Sequence, residues 1–428
     1  MKKLYLKFIQ KLLILISLLI KNMKILYFVH SFPPSVGAGG INAFKIAKYL
    51  GKFGHSILVL SPGVFSKSSP KSNLNGLSDL DIKVKYSSKL MKIPLNLIFS
   101  HFENLLKYIF KLYSHFTPDI ILSQYQGYHY ASVVGGYTSK ILKLPHIIRS
   151  HDILFPTSTL SLPLQIMHSI SYPLIYKSIL NCDIFYVTTT EMKRHLLKFK
   201  KLQKVNFKLH PNGIDTKEFF PSNNQDDLKN EYGCDKILLF HGQISKEYGL
   251  QDLVNIFPEI LKTHKDTHLI IIGGGPYLNN IKDIVRRNNM EKQVHILGVK
   301  PHEEMPYYIN NSDIGIGLIA YKDTLINRYS IPVKCLEFMA CKKPFISAPL
   351  SHDLIKNNDV GIMLKKNFTR KDLIENLISL LEDKNLRRKL GENGFKKIYQ
   401  KFRWEDLMSK FNNNMQQVIE NYQYPKQC

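Results

Sequence analysis

The sequence is short of cysteine, arginine, acid and long apolar runs, and each shortage excludes a class of protein. Five cysteines, Cys182, Cys234, Cys335, Cys341 and Cys428, are scattered through 428 residues without a CxxC pair. An odd, dispersed set argues against a disulfide framework and fits a reducing cytoplasm. The 16 histidines include no HExxH and no paired Cys/His spacing, so no zinc site is indicated. No GxSxG elbow, no GxGxxG and no low-complexity tract occurs, which removes the nucleophile-elbow hydrolases and dinucleotide binders from consideration. The apolar stretch Leu12 to Ile20, interrupted only by Ser17, falls short of the ~20 residues that span a bilayer.

Acid is outnumbered, with 34 Asp and Glu against 59 Lys and Arg, a formal charge of +25. Such a field favours anionic partners. Only nine of the 59 are arginine, and a lysine surplus of this kind serves equally as solvated surface. Nucleic acid is not the expected partner, because the chain lacks a basic cluster, an aromatic stacking motif or a known module. Hydrophobic residues at 44% and charged residues at 22% match an ordinary globular protein rather than a disordered one. At ~150 residues per domain, the length suggests two to three domains.

From residue 23 onward, short apolar runs alternate with helical patterns, as expected for parallel sheets covered by helices. One strand series is predicted at Lys24–Val29, Ser56–Leu60, Ile82–Lys85, Asp119–Leu122, His146–Ile148, Ile184–Val187 and Val205–Leu209; a second at Ile237–Phe240, His268–Ile272, Val294–Leu297, Ile314–Ile319 and Pro344–Ser347. Between them lies HPNGIDTKEFFPSNNQDD, whose Pro, Asn, Asp and Gly read as a linker. The predicted fold class is α/β, two Rossmann-like domains facing across a cleft. The divisions are 1–22, a basic and apolar extension; 23–218, the first Rossmann-like domain; 219–403, the second Rossmann-like domain; and 404–428, a helix crossing back to the first half. The extension, with five lysines and no cleavage site, reads as an interfacial helix, a segment upstream of a start at Met23, or a signal-like anchor.

Candidate chemistry sits at the turns. Gly39 and Gly40 precede a helical pattern, where backbone N–H groups can meet an oxygen-rich ligand or simply make a tight turn. In the second half, three successive turns put Gly or Lys at the C-terminal edge of a parallel sheet: FHGQISKEYGL, IIGGGPY and LGVKPHEE. Open α/β sheets bind ligands at that edge. Further on, SIPVKCLEFMACKKP lets Pro332 open a helix with Lys334 near its start and Glu337 one turn on. A lysine beside a positive helix end suits a diphosphate and a deeper carboxylate suits a ribose diol, yet the same spacing also describes an exposed i, i+3 ion pair. Asp79 and Asp81 form a DxD beside a strand, a placement unsuited to metal, and His55 reads as structural.

Taken together, HPNGID with Phe219 after it, HGQIS and YGL, GGGP, VHILG, SDIGIGL, LEFMACKKP and the closing KFRWEDL stand in the order and spacing of another group of sequences. They resemble the GT-B glycosyltransferases of the family-4 type, over residues 23 to about 420. The resemblance implies a retaining, metal-independent hexosyltransferase with no cofactor, moving a sugar from a nucleotide-diphosphate sugar to a glycan or lipid-linked saccharide in cell-surface polysaccharide synthesis. It implies ribose binding by Glu337, a phosphate loop at Gly242 and Gly275, and a catalytic histidine, His151, near the transferred sugar. Gly39 and Gly40 match a glycine loop facing the donor. Gln243 and Tyr248 stand where many members carry Arg and Lys, so Lys246 and Lys334 are the expected replacements, and Tyr329 stands where a further glutamate is usual. Nucleotide-sugar epimerases, hydrolases and non-catalytic binding partners share the fold and remain open. Residues 95–116, apolar at helical spacing with Lys107 and Lys111, suit either an anionic membrane surface on the cytoplasmic side or a helix packed on the sheet with a solvated outer face; with the apolar stretch 161–180 they suit a lipid-linked acceptor.

Overall fold

The computed structural model describes residues 22–33, 38–61, 77–86, 114–125, 131–150, 172–222, 227–319, 329, 331–349 and 359–423. The expectations for residues 1–21, 95–113, His151 and 161–171 lie outside these. The chain forms two compact units: one of residues up to Tyr186, Lys201–Lys208 and everything from Met408; the other of Val187–Lys200 and Leu209–Leu407.

In the first unit the described strands are β1 (Lys24–Phe28), β2 (Ser56–Ser61), β3 (Ile82–Tyr86), β4 (Ile120–Tyr125), β5 (His146–Ser150), β6 (Ile184–Val187) and β7 (Phe207–Leu209), with helices α1 (Ala38–Lys52) and α2 (Ala131–Leu142) between them. The sheet order is β3-β2-β1-β4-β5-β6-β7. Strand β1 pairs in parallel with both β2 and β4, so the winding reverses beside it. Its residues Ile25–Phe28 are all buried, the near-continuous apolar run of a strand covered on both faces.

The second unit begins with α3 (Thr190–Leu196) and continues with α4 (Asp227–Tyr232), β8 (Lys236–His241), α5 (Leu250–Thr263), β9 (Thr267–Ile272), α6 (Leu278–Arg287), β10 (Val294–Gly298), α7 (Met305–Asn310), β11 (Ile314–Ile316), α8 (Val333–Ala340), β12 (Phe345–Ser347), β13 (Ile362–Met363), α9 (Arg370–Glu382) and α10 (Lys384–Lys401). Its order, β10-β9-β8-β11-β12-β13, repeats the doubly wound pattern, with β8 pairing both β9 and β11. Alternation along β8 divides the core: Leu238 and Phe240 join one apolar cluster with α5, α6 and α9, and Ile237 and Leu239 join another with α7 and α8. In α5 the apolar set Leu250, Leu253, Val254, Phe257 and Ile260 is buried, the stripe an amphipathic helix turns to its sheet.

The α/β architecture agrees with the sequence reading, but the divisions fall elsewhere. The segment 209–218 belongs with the second unit. There Ile214 N–H donates to Phe402 and Trp404 N–H to Ile214, and a Cβ on Gly213 would lie 2.6 Å from the Trp404 indole. The last helix, α11 (Trp404–Gln423), passes to the first unit only after Leu407, with the Phe411 ring 4.7 Å from that of Tyr186. His55 is structural: its Nδ1 accepts from Met23 N–H at 3.2 Å and its Nε2 meets Asn412 Oδ1 at 2.6 Å. Two expected strands, Val205–Leu209 and Ile314–Ile319, are shorter than predicted by more than one residue. Val205 N–H closes a turn onto Leu202, and Ile319 N–H leaves the ladder for Tyr248. Strand β13, two residues long, has no sequence counterpart because so short a run carries no period.

Candidate functional site

Because β8 pairs on both sides, the loop after it opens at the point where strand order reverses, the place open α/β sheets reserve for ligands. Gly242 begins that loop with φ 120°, and the loop after β9 begins with Gly273 at φ 140°. The two loops are laced together by backbone: Gly242 N–H donates to Ile272 at 2.9 Å and Ile244 N–H to Gly274 at 2.8 Å. A Cβ on Gly273 would lie 1.9 Å from the Gly242 carbonyl oxygen, and one on Gly275 2.3 Å from that of Ile244. Glycine is therefore required at both positions for the loops to approach.

Helix α8 carries the charged groups to this edge. Pro332 stands at its N-cap in extended backbone (φ −59°, ψ 129°) rather than as the first helical residue, and its carbonyl accepts from Cys335 N–H at 3.0 Å. The helix sits close to its neighbours because they are glycines: a Cβ on Gly315 would meet Phe338 at 2.4 Å, and one on Gly394 of α10 would meet Met339 at 2.9 Å.

Lys334 and Glu337 are not the exposed ion pair that their spacing allowed. The Lys334 stem is half-buried, but Nζ is shut off from solvent and has no hydrogen-bond partner among the described residues. It lies 3.9 Å from the centre of the Phe240 ring and 5.7 Å from that of Tyr248. A Cβ on Gly242 would be 3.4 Å from it. Burial pulls its pKa down to about 8, against smaller upward pulls from Cys335 and Glu337. Aromatic faces attract an ammonium without supplying the acceptor oxygens it lost on leaving water, so this cation is primed for an anion.

Glu337 is 2% exposed and lies between two imidazoles. His302 Nε2 is 2.7 Å from Oε1; since an ionised carboxylate only accepts, that nitrogen carries the proton. His241 Nε2 is 3.3 Å from Oε2 but lacks hydrogen-bond geometry, so the contact is electrostatic. Burial pushes the Glu337 carboxyl upward, but the His302 hydrogen bond, with the electrostatic pull of His302 and Lys334 after it, outweighs it and holds the pKa below the ordinary range. Burial takes His241 down to about 4, leaving it neutral at physiological pH.

The structure thus brings together Gly242, Lys334 and Glu337, with Tyr248 near Lys334 and Gly275 laced against the Gly242 loop. Gln243 and Lys246 are exposed. Lys246 sits in a short 3-10 turn over Lys246–Tyr248, where its carbonyl accepts from the Gln251 side chain at 3.0 Å. Gly39 and Gly40 lie in the first turn of α1 in the first unit, the Gly39 carbonyl accepting from Gln124 Nε2 at 3.3 Å. Tyr329 places its hydroxyl 3.1 Å from His195 Nδ1, and its carbonyl accepts from Thr189 Oγ1 at 3.0 Å. His241 and His302 were missed from sequence. His241 ends β8 immediately before Gly242 and His302 follows β10 in the LGVKPHEE turn at the same sheet edge, positions that could have signalled both; the pairing of His302 with Glu337, 35 residues on, could not be read from spacing. Asp81 accepts from Ser56 and Asp79 from Ser78, so the DxD is bound up in its turn. Among the described residues no three His, Cys, Asp or Glu side chains gather as a metal site, and no helix is long and apolar enough to cross a membrane.

Two family profiles match the chain: Glycosyltransferase Family 4 over residues 40–218 and Glycosyl transferases group 1 over residues 222–397. Among curated relatives, the N-acetyl-alpha-D-glucosaminyl L-malate synthase of Bacillus anthracis is 28% identical over 208 residues, 47% of this chain and 51% of the relative. The alpha-monoglucosyldiacylglycerol synthase of Acholeplasma laidlawii is 21% identical over 225 residues, 50% of this chain and 53% of the relative. The chain therefore spans about half the length of the curated relatives it matches. Among solved structures, Anabaena HepE in complex with UDP and glucose superposes with a TM-score of 0.71 at 16% identity, covering 92% of this chain and all of that one; at that identity the likeness establishes the fold.

Proposed function

Since the chain belongs to the group 1 and family 4 glycosyltransferases, we propose that it moves a sugar from a nucleotide-diphosphate sugar to a glycan or lipid-linked acceptor, with retention of configuration and no resident metal. The observation that carries this reading is the solvent-excluded Lys334 ammonium beside Gly242, without a hydrogen-bond partner among the described residues, one helical turn from a carboxylate held ionised. The ammonium supplies a counter-charge for the diphosphate, and the carboxylate supplies acceptors for a ribose diol. The name of the Acholeplasma relative supports a lipid acceptor, and the HepE complex, with its UDP, supports a uridine nucleotide.

In the proposed reaction the acceptor hydroxyl attacks the anomeric carbon on the face that the diphosphate leaves. The new C–O bond forms as the sugar–diphosphate bond breaks, and the hydroxyl proton passes to a diphosphate oxygen. Catalysis then rests on stabilising the departing charge, through Lys334, Lys246 and the loop amides, and on orientation. A peripheral position at an anionic membrane face on the cytoplasmic side accords with the lysine surplus. The test is an assay of UDP- and GDP-sugars with and without lipid-linked acceptors. Sugar transfer that requires acceptor supports the reading; hydrolysis or epimerisation without acceptor replaces it with another enzyme class, and an unchanged donor in every mixture replaces it with a binding role.

A further inference from the structure

We propose that His302, together with Phe219 behind it, is a positioning residue that fixes the Glu337 carboxylate for ribose recognition. The inference rests on the donor-site reading and adds to it a residue outside the glycine loops and α8. The torsion that turns a glutamate carboxylate is broad and nearly two-fold. A carboxylate meant to present both oxygens to a diol therefore needs a partner to stop it rotating. His302 is that partner, with Nε2 at 2.7 Å from Oε1; His241, at 3.3 Å without hydrogen-bond geometry, does not set the angle.

Each carboxylate oxygen has two lone pairs, so Oε1 can accept from His302 and from one ribose hydroxyl while Oε2 takes the other. The imidazole is itself braced: the Phe219 ring is 5.3 Å from it, tilted by 51°, and Phe219 is 2% exposed. His302 remains partly open, at 30% side-chain exposure against 3% for Glu337, which puts it on the solvent side of the carboxylate.

The experiment uses the full chain and calorimetric titration with UDP and 2′-deoxy-UDP, with GDP and 2′-deoxy-GDP as the second pair. The wild type should prefer the ribonucleotide by about tenfold, the scale of one hydrogen bond to a charged group. His302→Ala should raise the Kd for the ribonucleotide about tenfold and shrink that preference to within about twofold, with kcat at saturating donor changed by less than about twofold. His302→Gln, whose amide N–H reaches the same point, should restore both; His302→Asn, one methylene shorter, should behave like Ala. A purely structural role would weaken both nucleotides equally and leave the preference intact, and that result overturns the proposal, as does a His302→Ala protein with unchanged Kd. If His302→Ala does not fold, the contrast between Gln and Asn decides. A wild type that binds nucleotide but ignores the 2′-hydroxyl removes Glu337 from the ribose and the proposal with it. A wild type that binds none of the four nucleotides refutes the donor site as a whole.

Discussion

The two units wind their sheets in the same order, β3-β2-β1-β4 in one and β10-β9-β8-β11 in the other, yet they use buried polar groups differently. In the first unit His55 is fully occupied, accepting from Met23 N–H and meeting Asn412, and it joins the first strand to the last helix. In the second, Lys334 Nζ is buried without an acceptor among the described residues, and Glu337 is held by His302 with lone pairs to spare. A satisfied buried group stabilises; an unsatisfied one costs stability and is retained where a ligand completes it. Topology offers an edge in both units, and in the second the described side chains furnish it with a cation, Lys334, and a carboxylate, Glu337.

The strongest way to break this contrast is at Lys334. Lys334→Ala should lower turnover by about 100-fold, the loss expected when a preorganised charge-stabilising group is removed; steady-state kinetics showing near-normal kcat would transfer the role to loop amides. Glu337→Ala should weaken nucleotide binding by about 1.5 to 3 kcal/mol, read by calorimetry on a protein whose circular dichroism is unchanged. Lys246→Ala should lower turnover by about tenfold with little change in nucleotide affinity, because a cation acting on the leaving group works in the transition state; full activity would show that the exposed lysine plays no part. On the other side of the comparison, His55→Ala should cost about 1 to 3 kcal/mol of stability while leaving the UDP Kd within about twofold, so altered nucleotide affinity there would erase the distinction between the units.

The smallest expected effect is on pH. Lys334 is depressed to about 8 in the folded chain from ~10.5 when free. Between those values the unfolded chain binds the extra proton, so this group's contribution to stability rises with pH across that window. Diphosphate binding requires the charged form, so nucleotide affinity should fall as pH climbs through about 8. Lys334→Arg, which stays protonated, should flatten the affinity profile between about pH 7 and 9; an unchanged slope would locate the titration elsewhere.

Much of the fold was legible. Ile237–Phe240 and His268–Ile272 read as strands because both faces are covered and the run is continuously apolar. Boundaries were less so: HPNGID looked like a linker by composition, but its backbone pairs with Phe402 and Trp404, partners nearly 200 residues away that no local pattern specifies. At the site, Lys334 and Glu337 could be named, but their spacing fitted an exposed ion pair as well as a ligand site, and burial against Phe240 and His302 decided the matter.

By itself the sequence determined the alternation of strands and helices, the glycines that let the loops after β8 and β9 close on each other, and the residue types carried at the sheet edge. These are properties of neighbours along the chain, expressed through period and backbone freedom. Only the tertiary structure decided that His302 meets Glu337, that Lys334 loses its water without gaining an acceptor, and that His55 ends as a structural link to Asn412. Those outcomes depend on which distant segments share a sheet edge or a helix face, and hence on the dielectric and hydrogen-bond partners around each group, which residue spacing does not encode.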